Sequence, residues 1–287
     1  MKTRLFSILA LLLVAATGAM AQTTYTVSVK QGTEDAEKWE ANPNPATAGQ
    51  TVTVTYSGSK KVKSVTAVKK AAAAGVALDN TTTAWTDGNS FAVPVGGLTY
   101  SDAITVSGNV TLVLTAGETL TLNKGISLAS GATLTIEGTG TMNINGTDNN
   151  TSSTVAGSGT LVLTSGTLTA KGGNGQSLNT SDDYVSGGSG GVAINGSVTV
   201  NGGTLTATGG NGGNLNVTIS GGVDYTHGGN GGAAISGNVI VNSGGTLTAT
   251  NGSNGSYTGY TSGSGCSAGT GSKAVAGTVT NNGGTVN

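Results

Sequence analysis

Arginine is nearly absent from this 287-residue chain: Arg4 is the only one, and cysteine and histidine occur once each, as Cys266 and His227. Without arginine beyond the first residues, bidentate capture of phosphate or carboxylate is closed to the rest of the chain. A single thiol forms no internal disulfide, and Cys266, set among glycines, reads as an inert small side chain. Charged residues make up 9% and aromatics 4%, with a formal net charge of −1, so there is no electrostatic footprint for nucleic acid. No apolar run reaches the roughly 20 residues that span a bilayer. The longest, from Leu5 to Ala16, follows Lys2 and Arg4 and precedes Ala19-Met20-Ala21, the pattern of a cleaved secretory leader over residues 1–21. The expected location is therefore outside the cytoplasm: extracellular, on a bacterial cell surface, or in the periplasm.

Glycine is what the chain has in quantity, 51 residues, of which 43 lie from residue 101 onward. They read as lacking a three-residue period, which excludes collagen, and the regular Val, Ile and Leu between them argue against disorder. Gly-Thr-Leu-Thr-Ala occurs at 166–170, 203–207 and 245–249, behind related lead-ins that start at Ala193, Ala234 and Ala274. A period of about 40 residues built from short alternating strands and Asn/Gly bends predicts an all-β stacked solenoid. Within one coil the inward set is Ile194, Val198, Val200, Leu205 and Ala207. The remainder of each repeat is expected to leave the coil as a loop on one side, at 172–190, 209–232 and 252–272. Tight bends and chain flexibility are the expected reasons for the glycines there.

The segments differ in composition. Residues 22–70 hold seven of the ten lysines that follow the leader and predict a small β module of three strands around Trp39, at 25–29, 52–56 and 62–68. Residues 71–101 read as a linker and cap, with a short helix at 71–74 and Trp85, Phe91 and Leu98 covering the first coil. Coils are expected from 102 to 287. Because Asn287 falls inside a strand pattern, the chain is expected either to continue or to associate end to end.

Two resemblances accompany these patterns. Tyr25 to Lys30, the 32–36 turn, Ala48 to Val52 and Ser59 to Val65 resemble a small repeat module of bacterial surface proteins, similar to that of internalin-like proteins, where it serves as spacer or adhesion module. Ile104 to Leu114, Glu118 to Leu122, Gly125-Ile126 and Gly131 to Ile136, continued by units such as Gly202 to Ala207, resemble a family of glycine-rich secreted bacterial proteins. That resemblance implies a right-handed parallel β-helix of carbohydrate-binding or adhesin-like character.

Chemistry is sparse. Asp182-Asp183 and His227-Gly228 echo pectinolytic motifs, but the accompanying Asn-Thr-Asp and Arg-Ile-Lys motifs are missing. Nothing in the spacing gives His227 a nucleophile. The runs at 187–192 and 228–233 place Val192 and Ala233 where a calcium-binding repeat needs Asp, and no Gly-Lys-Ser/Thr supports a phosphate loop. The expectation is a non-enzymatic protein without cofactor or metal, contacting a polysaccharide or a host or bacterial surface glycan. Polysaccharide lyase or hydrolase and ice-binding solenoid are the alternatives. The candidate contact residues are the loop aromatics Tyr184, Tyr225, Tyr257 and Tyr260 with Asp183 and Asp224. A threonine array, Thr119/Thr121, Thr133/Thr135, Thr167/Thr169, Thr204/Thr206 and Thr246/Thr248, is expected to point outward as a grid. Strand propensity is the preferred account of it, since threonine suits an exposed strand face.

Overall fold

The computed structural model describes residues 75–287 apart from 183, 219–225 and 260–265, together with the backbone of five strands in residues 1–74. The chain forms two compact units, Met1–Ala74 and Gly75–Asn287. Both are all-β, with no helix among the described residues.

In the first unit Thr24–Ser28 lies between Ala46–Thr47 and Thr66–Lys69 in an antiparallel sheet, and Trp39–Asn42 pairs with Thr53–Tyr56. Trp39 lies within a strand, in register with Tyr56. The third expected strand is centred later, on Thr66–Lys69. The leader and the expected helix at 71–74 lie outside the described residues.

The second unit is a parallel β-helix. The coils stack as three parallel sheets, and the pairing runs coil to coil without a slip. The first sheet stacks Ala84–Trp85, Ile104–Val106, Ile126–Leu128 and Val155–Gly157, and continues as single bridges at Ile194, Ile235 and Val275. The second runs from Val76–Ala77 and Ser90–Ala92 through Asn109–Leu114, Thr133–Gly138, Thr160–Leu163, Ser197–Val200 and Val239–Asn242 to Val279–Asn282. The third runs from Leu98–Tyr100 through Thr119–Leu122, Thr141–Asn145, Thr167–Lys171, Gly203–Thr208 and Gly245–Thr250 to Thr285–Val286. Alternation with period two drives this: every second residue faces the interior, so Ile194, Val198, Val200, Leu205 and Ala207 are fully buried, as the repeat predicts. Gly166 and Gly203 turn the corner between the second and third sheets with φ of 84° and 73°, a region that favours glycine.

A full coil precedes residue 102. Trp85, Phe91 and Tyr100 occupy its inward positions, with the Trp85 ring 5.6 Å from Phe91 and 6.4 Å from Tyr100. The segment expected to be linker and cap is therefore partly coil, disguised in sequence because aromatics take the place of Val, Ile and Leu. Trp85 Nε1 donates to Thr82 O at 3.2 Å and the Tyr100 hydroxyl to Asp79 O. Asp79 Oδ1 accepts from the backbone and hydroxyl groups of both Thr81 and Thr82.

The inserts are the main departure from expectation. One inward column of the third sheet shrinks along the stack from Tyr100, Leu122 and Ile144 to Ala170, Ala207 and Ala249. Opposite, the first sheet thins to single bridges preceded by the buried Ala193 and Ala234. With small residues on both sides, the chain leaving the third sheet and the chain returning to the first run as a bonded pair of legs. Their N–H groups follow a period of three. Gly209 and Gly212 donate to Thr250 and Ser253 of the next outgoing leg, at 2.9 and 2.8 Å. Gly210 and Gly213 donate to Gly191 and Gly188 of a returning leg, at 2.9 and 2.8 Å. Asn211 and Asn214 donate to the Asn174 Oδ1 and Ser177 Oγ side chains, each at 3.0 Å. Period-three bonding directed entirely to neighbouring legs, without positive φ at these glycines, is the behaviour of polyproline II backbone. A Cβ on Gly210 would lie 1.8 Å from Gly173 O, and one on Gly229 would lie 1.9 Å from Gly188 O. The glycines are there for close approach of backbones, not for flexibility.

Beyond the legs, Leu178–Thr180, Leu215–Val217 and Tyr257–Thr258 pair as a small parallel sheet. Leu178, Val185, Leu215, Val217, Tyr257 and Cys266 form a second apolar cluster behind it. The inserts thus repeat the architecture of the coils on a smaller scale.

Candidate functional site

The most regular surface of the second unit is the outer face of the third sheet. Register places Thr119, Thr141, Thr167, Thr204, Thr246 and Thr285 in one column. A second column holds Thr99, Thr121, Asn143, Thr169, Thr206 and Thr248. Neighbouring hydroxyls are spaced about 4.8 Å along the stack and about 7 Å along each strand. Lys171, at the edge of this face, is the one charged side chain among the outward positions of these strands. Thr133 and Thr135 belong elsewhere: they lie on the second sheet, paired with Asn109 and Thr111, because the strand Thr133–Gly138 precedes the corner.

The other two sheets supply an internal comparison. At matching outward positions the second carries Ser90, Thr111, Thr135, Val162, Thr199, Ile240 and Thr280. The first carries Ala84, Thr105, Ser127, Ala156, Asn195, Ser236 and Ala276. Strand propensity acts on all three sheets alike, yet only the third is filled by threonine almost without interruption. Asparagine adds a ladder at the corner that leads into it: Asn242 Nδ2 donates to Asn201 Oδ1 at 2.6 Å, and Asn282 Nδ2 to Asn242 Oδ1 at 2.9 Å.

Of the loop aromatics the structure describes Tyr184 and Tyr257, and these two lie in different surroundings. Tyr184 is 69% exposed and its backbone is left-handed, with φ of 58°. Tyr257 pairs in register with Leu215 and packs in the second apolar cluster, and burial raises its pKa above the usual tyrosine value, with Thr226 and Cys266 beside its hydroxyl. It is an inward residue, not an equivalent of Tyr184. Tyr225, Tyr260, Asp183 and Asp224 themselves lie outside the described residues. His227 Nδ1 is 2.8 Å from its own neighbour's carbonyl, Gly228 O. Thr226 Oγ1 donates to Cys266 Sγ at 3.4 Å, which places the single thiol inside the small cluster. Among the described residues no three His, Cys, Asp or Glu side chains converge as a metal site. Elsewhere, burial raises the pKa of the half-covered Glu137 on the second sheet.

Sequence reasoning found the threonines but spread them over two faces. The signal that separates them is position in the coil: the face-three threonines follow the Gly166, Gly203 or Gly244-Gly245 corner. What it missed was the outward series along the legs, Asn174, Asn211 and Ser253, and then Ser177, Asn214 and Ser256. The local triplet Gly-Gly-Asn-Gly-Gly-Asn at 209–214 announces it.

Fold and face together define a parallel β-helix with glycine-leg inserts and a repetitive, almost uncharged hydroxyl surface. Comparison with family models, curated proteins and solved structures finds no match to the chain in any of the three.

Proposed function

We propose that the chain is an exported, non-enzymatic adhesion or glycan-contact protein whose contact surface is the outer face of the third sheet. The observation that supports this is the pair of in-register threonine columns, set against the mixed columns of the other two sheets. Each threonine offers one hydroxyl donor and two acceptor lone pairs, and the columns repeat them at a constant spacing. Such a surface suits a neutral partner that itself repeats. The resemblance of residues 102–287 to glycine-rich secreted bacterial proteins is in keeping with this reading.

The test is co-sedimentation with insoluble polysaccharides, comparing the wild type with a Thr167→Lys/Thr204→Lys pair. Both positions are exposed, so the substitutions leave the interior untouched. Loss of retention in the pair is the expected result; retention equal to that of the wild type sinks the assignment of the face. New reducing ends or unsaturated products in the same incubations would instead identify a hydrolase or lyase. Ice is the second reading, favoured by the absence of any aromatic ring from the two columns. Thermal hysteresis that disappears in the same pair is the result that selects it.

A further inference from the structure

We infer that the contact face extends beyond the third sheet onto the outgoing glycine legs, and that its partner is an ordered sheet of neutral polysaccharide chains packed side by side. This rests on the reading of the third sheet given above. An outgoing leg continues the third-sheet strands Thr167–Lys171, Gly203–Thr208 and Gly245–Thr250, and its inner side is bonded to the returning leg, as in Gly210 N–H to Gly191 O at 2.9 Å. The side left facing away from that partner is the one that continues the outer face. In one coil the outward series is Thr204, Thr206, Thr208, Asn211 and Asn214, which passes from period two in the strand to period three in the leg.

The spacing follows from the backbone. Two strand residues advance about 7 Å and three polyproline II residues about 9 Å, so this series spans roughly 30 Å. The coils on either side carry matching residues; the charges on the platform are Lys171 and, one coil further along the same ladder, Asp148, whose Oδ1 accepts from Asn174 N–H at 2.8 Å. The Asn211 and Asn214 side chains are held in place, since their Oδ1 atoms accept from Ser253 N–H and Ser256 N–H, both at 2.9 Å. A single extended glycan chain occupies one row of such a platform. Several columns are engaged together only by chains already fixed beside each other, and linking weak contacts in this way multiplies affinity without a new kind of contact. The near-absence of charge argues for a neutral polymer over an acidic one.

The experiment uses the full chain with microcrystalline cellulose and crystalline chitin as solid probes, and soluble cello- and chito-oligosaccharides as counterparts. Ser253→Lys/Ser256→Lys changes the leg at exposed positions reached through backbone N–H groups, so their substitution leaves those bonds in place. Thr167→Lys/Thr204→Lys changes the sheet, and Ser197→Lys, exposed on the second sheet, is the off-face control. Circular dichroism melting confirms that each variant is folded. Expected are retention on a solid probe, a loss of at least fivefold in the leg pair and in the sheet pair, no change in Ser197→Lys, and little competition by soluble oligomers. If the leg pair is retained like the wild type while the sheet pair is lost, the extension is overturned and the third-sheet reading stands. If soluble oligomers compete fully, the side-by-side partner is overturned. Retention on neither solid probe, or thermal hysteresis that depends on the leg pair, overturns the polysaccharide partner itself.

Discussion

Replacing Gly210 by alanine tests the close packing of the legs. The added Cβ meets Gly173 O at 1.8 Å, and Cβ atoms are essentially never found closer than 3.0 Å to another heavy atom, so the legs must separate by about 1.2 Å there. The hydrogen bonds that straddle the site, Gly172 N–H to Thr208 O at 2.8 Å and Gly175 N–H to Asn211 O at 2.7 Å, stretch to about 4 Å and are lost. At about 1 kcal/mol net each, and with a further 1–3 kcal/mol of overpacking strain, the substitution costs about 3–5 kcal/mol. The control is Gly271→Ala. A Cβ there meets only the Asn254 side-chain amide, at 3.6 Å, and the expected change is within about 0.5 kcal/mol of zero. Urea unfolding followed by circular dichroism measures both. Hydrogen exchange at the Gly191 and Gly232 amides shows whether the legs open alone or with the coils, since stacked repeats open in parts. Equal stability of the two variants would refute the argument that these glycines are fixed by backbone approach.

Three further outcomes are expected. Leu205→Ala, at a fully buried position stacked between Leu168 and Leu247, costs about 2–5 kcal/mol in the same unfolding assay. The four bonds from Thr81 and Thr82 hold the Asp79 carboxyl down at about 2, below its ordinary 3.8; its contribution is therefore complete above about pH 4 and lost as pH falls towards 2, and Asp79→Asn flattens the acid limb of the stability profile between those values. Tyr257→Phe removes a late-titrating phenol from the spectrophotometric titration, because burial beside Thr226 and Cys266 raises that hydroxyl above the usual tyrosine value; amplitude lost from the ordinary tyrosine range instead contradicts its inward placement.

The coils were legible because burial imposes a strict period of two, and Leu168, Leu205 and Leu247 recur in identical surroundings. Trp85 and Phe91 read as a cap in sequence since an aromatic can fill the place of an aliphatic side chain without repeating it. The legs were harder. Glycine contributes no hydropathy signal, so a three-residue pattern confined to stretches such as 209–214 vanishes in a composition taken over the whole chain. The threonine face was half legible: alternation tells which residues point outward, but only pairing tells Thr133 on the second sheet from Thr141 on the third. The tyrosines were judged by recurrence alone, and Tyr257 recurs in sequence without occupying the same place in space.

The register of the inserts has a consequence for how the repeat can change in length. Thr167 to Leu178, Thr204 to Leu215 and Thr246 to Tyr257 are each steps of 11 residues, and Ser186 to Ile194, His227 to Ile235 and Ser267 to Val275 are each steps of 8. Between them the tips measure 8, 12 and 10 residues, from Leu178 to Ser186, Leu215 to His227 and Tyr257 to Ser267. A residue gained or lost in a leg shifts a bulky side chain into a position where only hydrogen fits, whereas the length between the insert strand and the returning bridge differs from copy to copy. The repeat therefore combines a frame read in triplets, constant in length, with a stretch whose length is the variable quantity between copies.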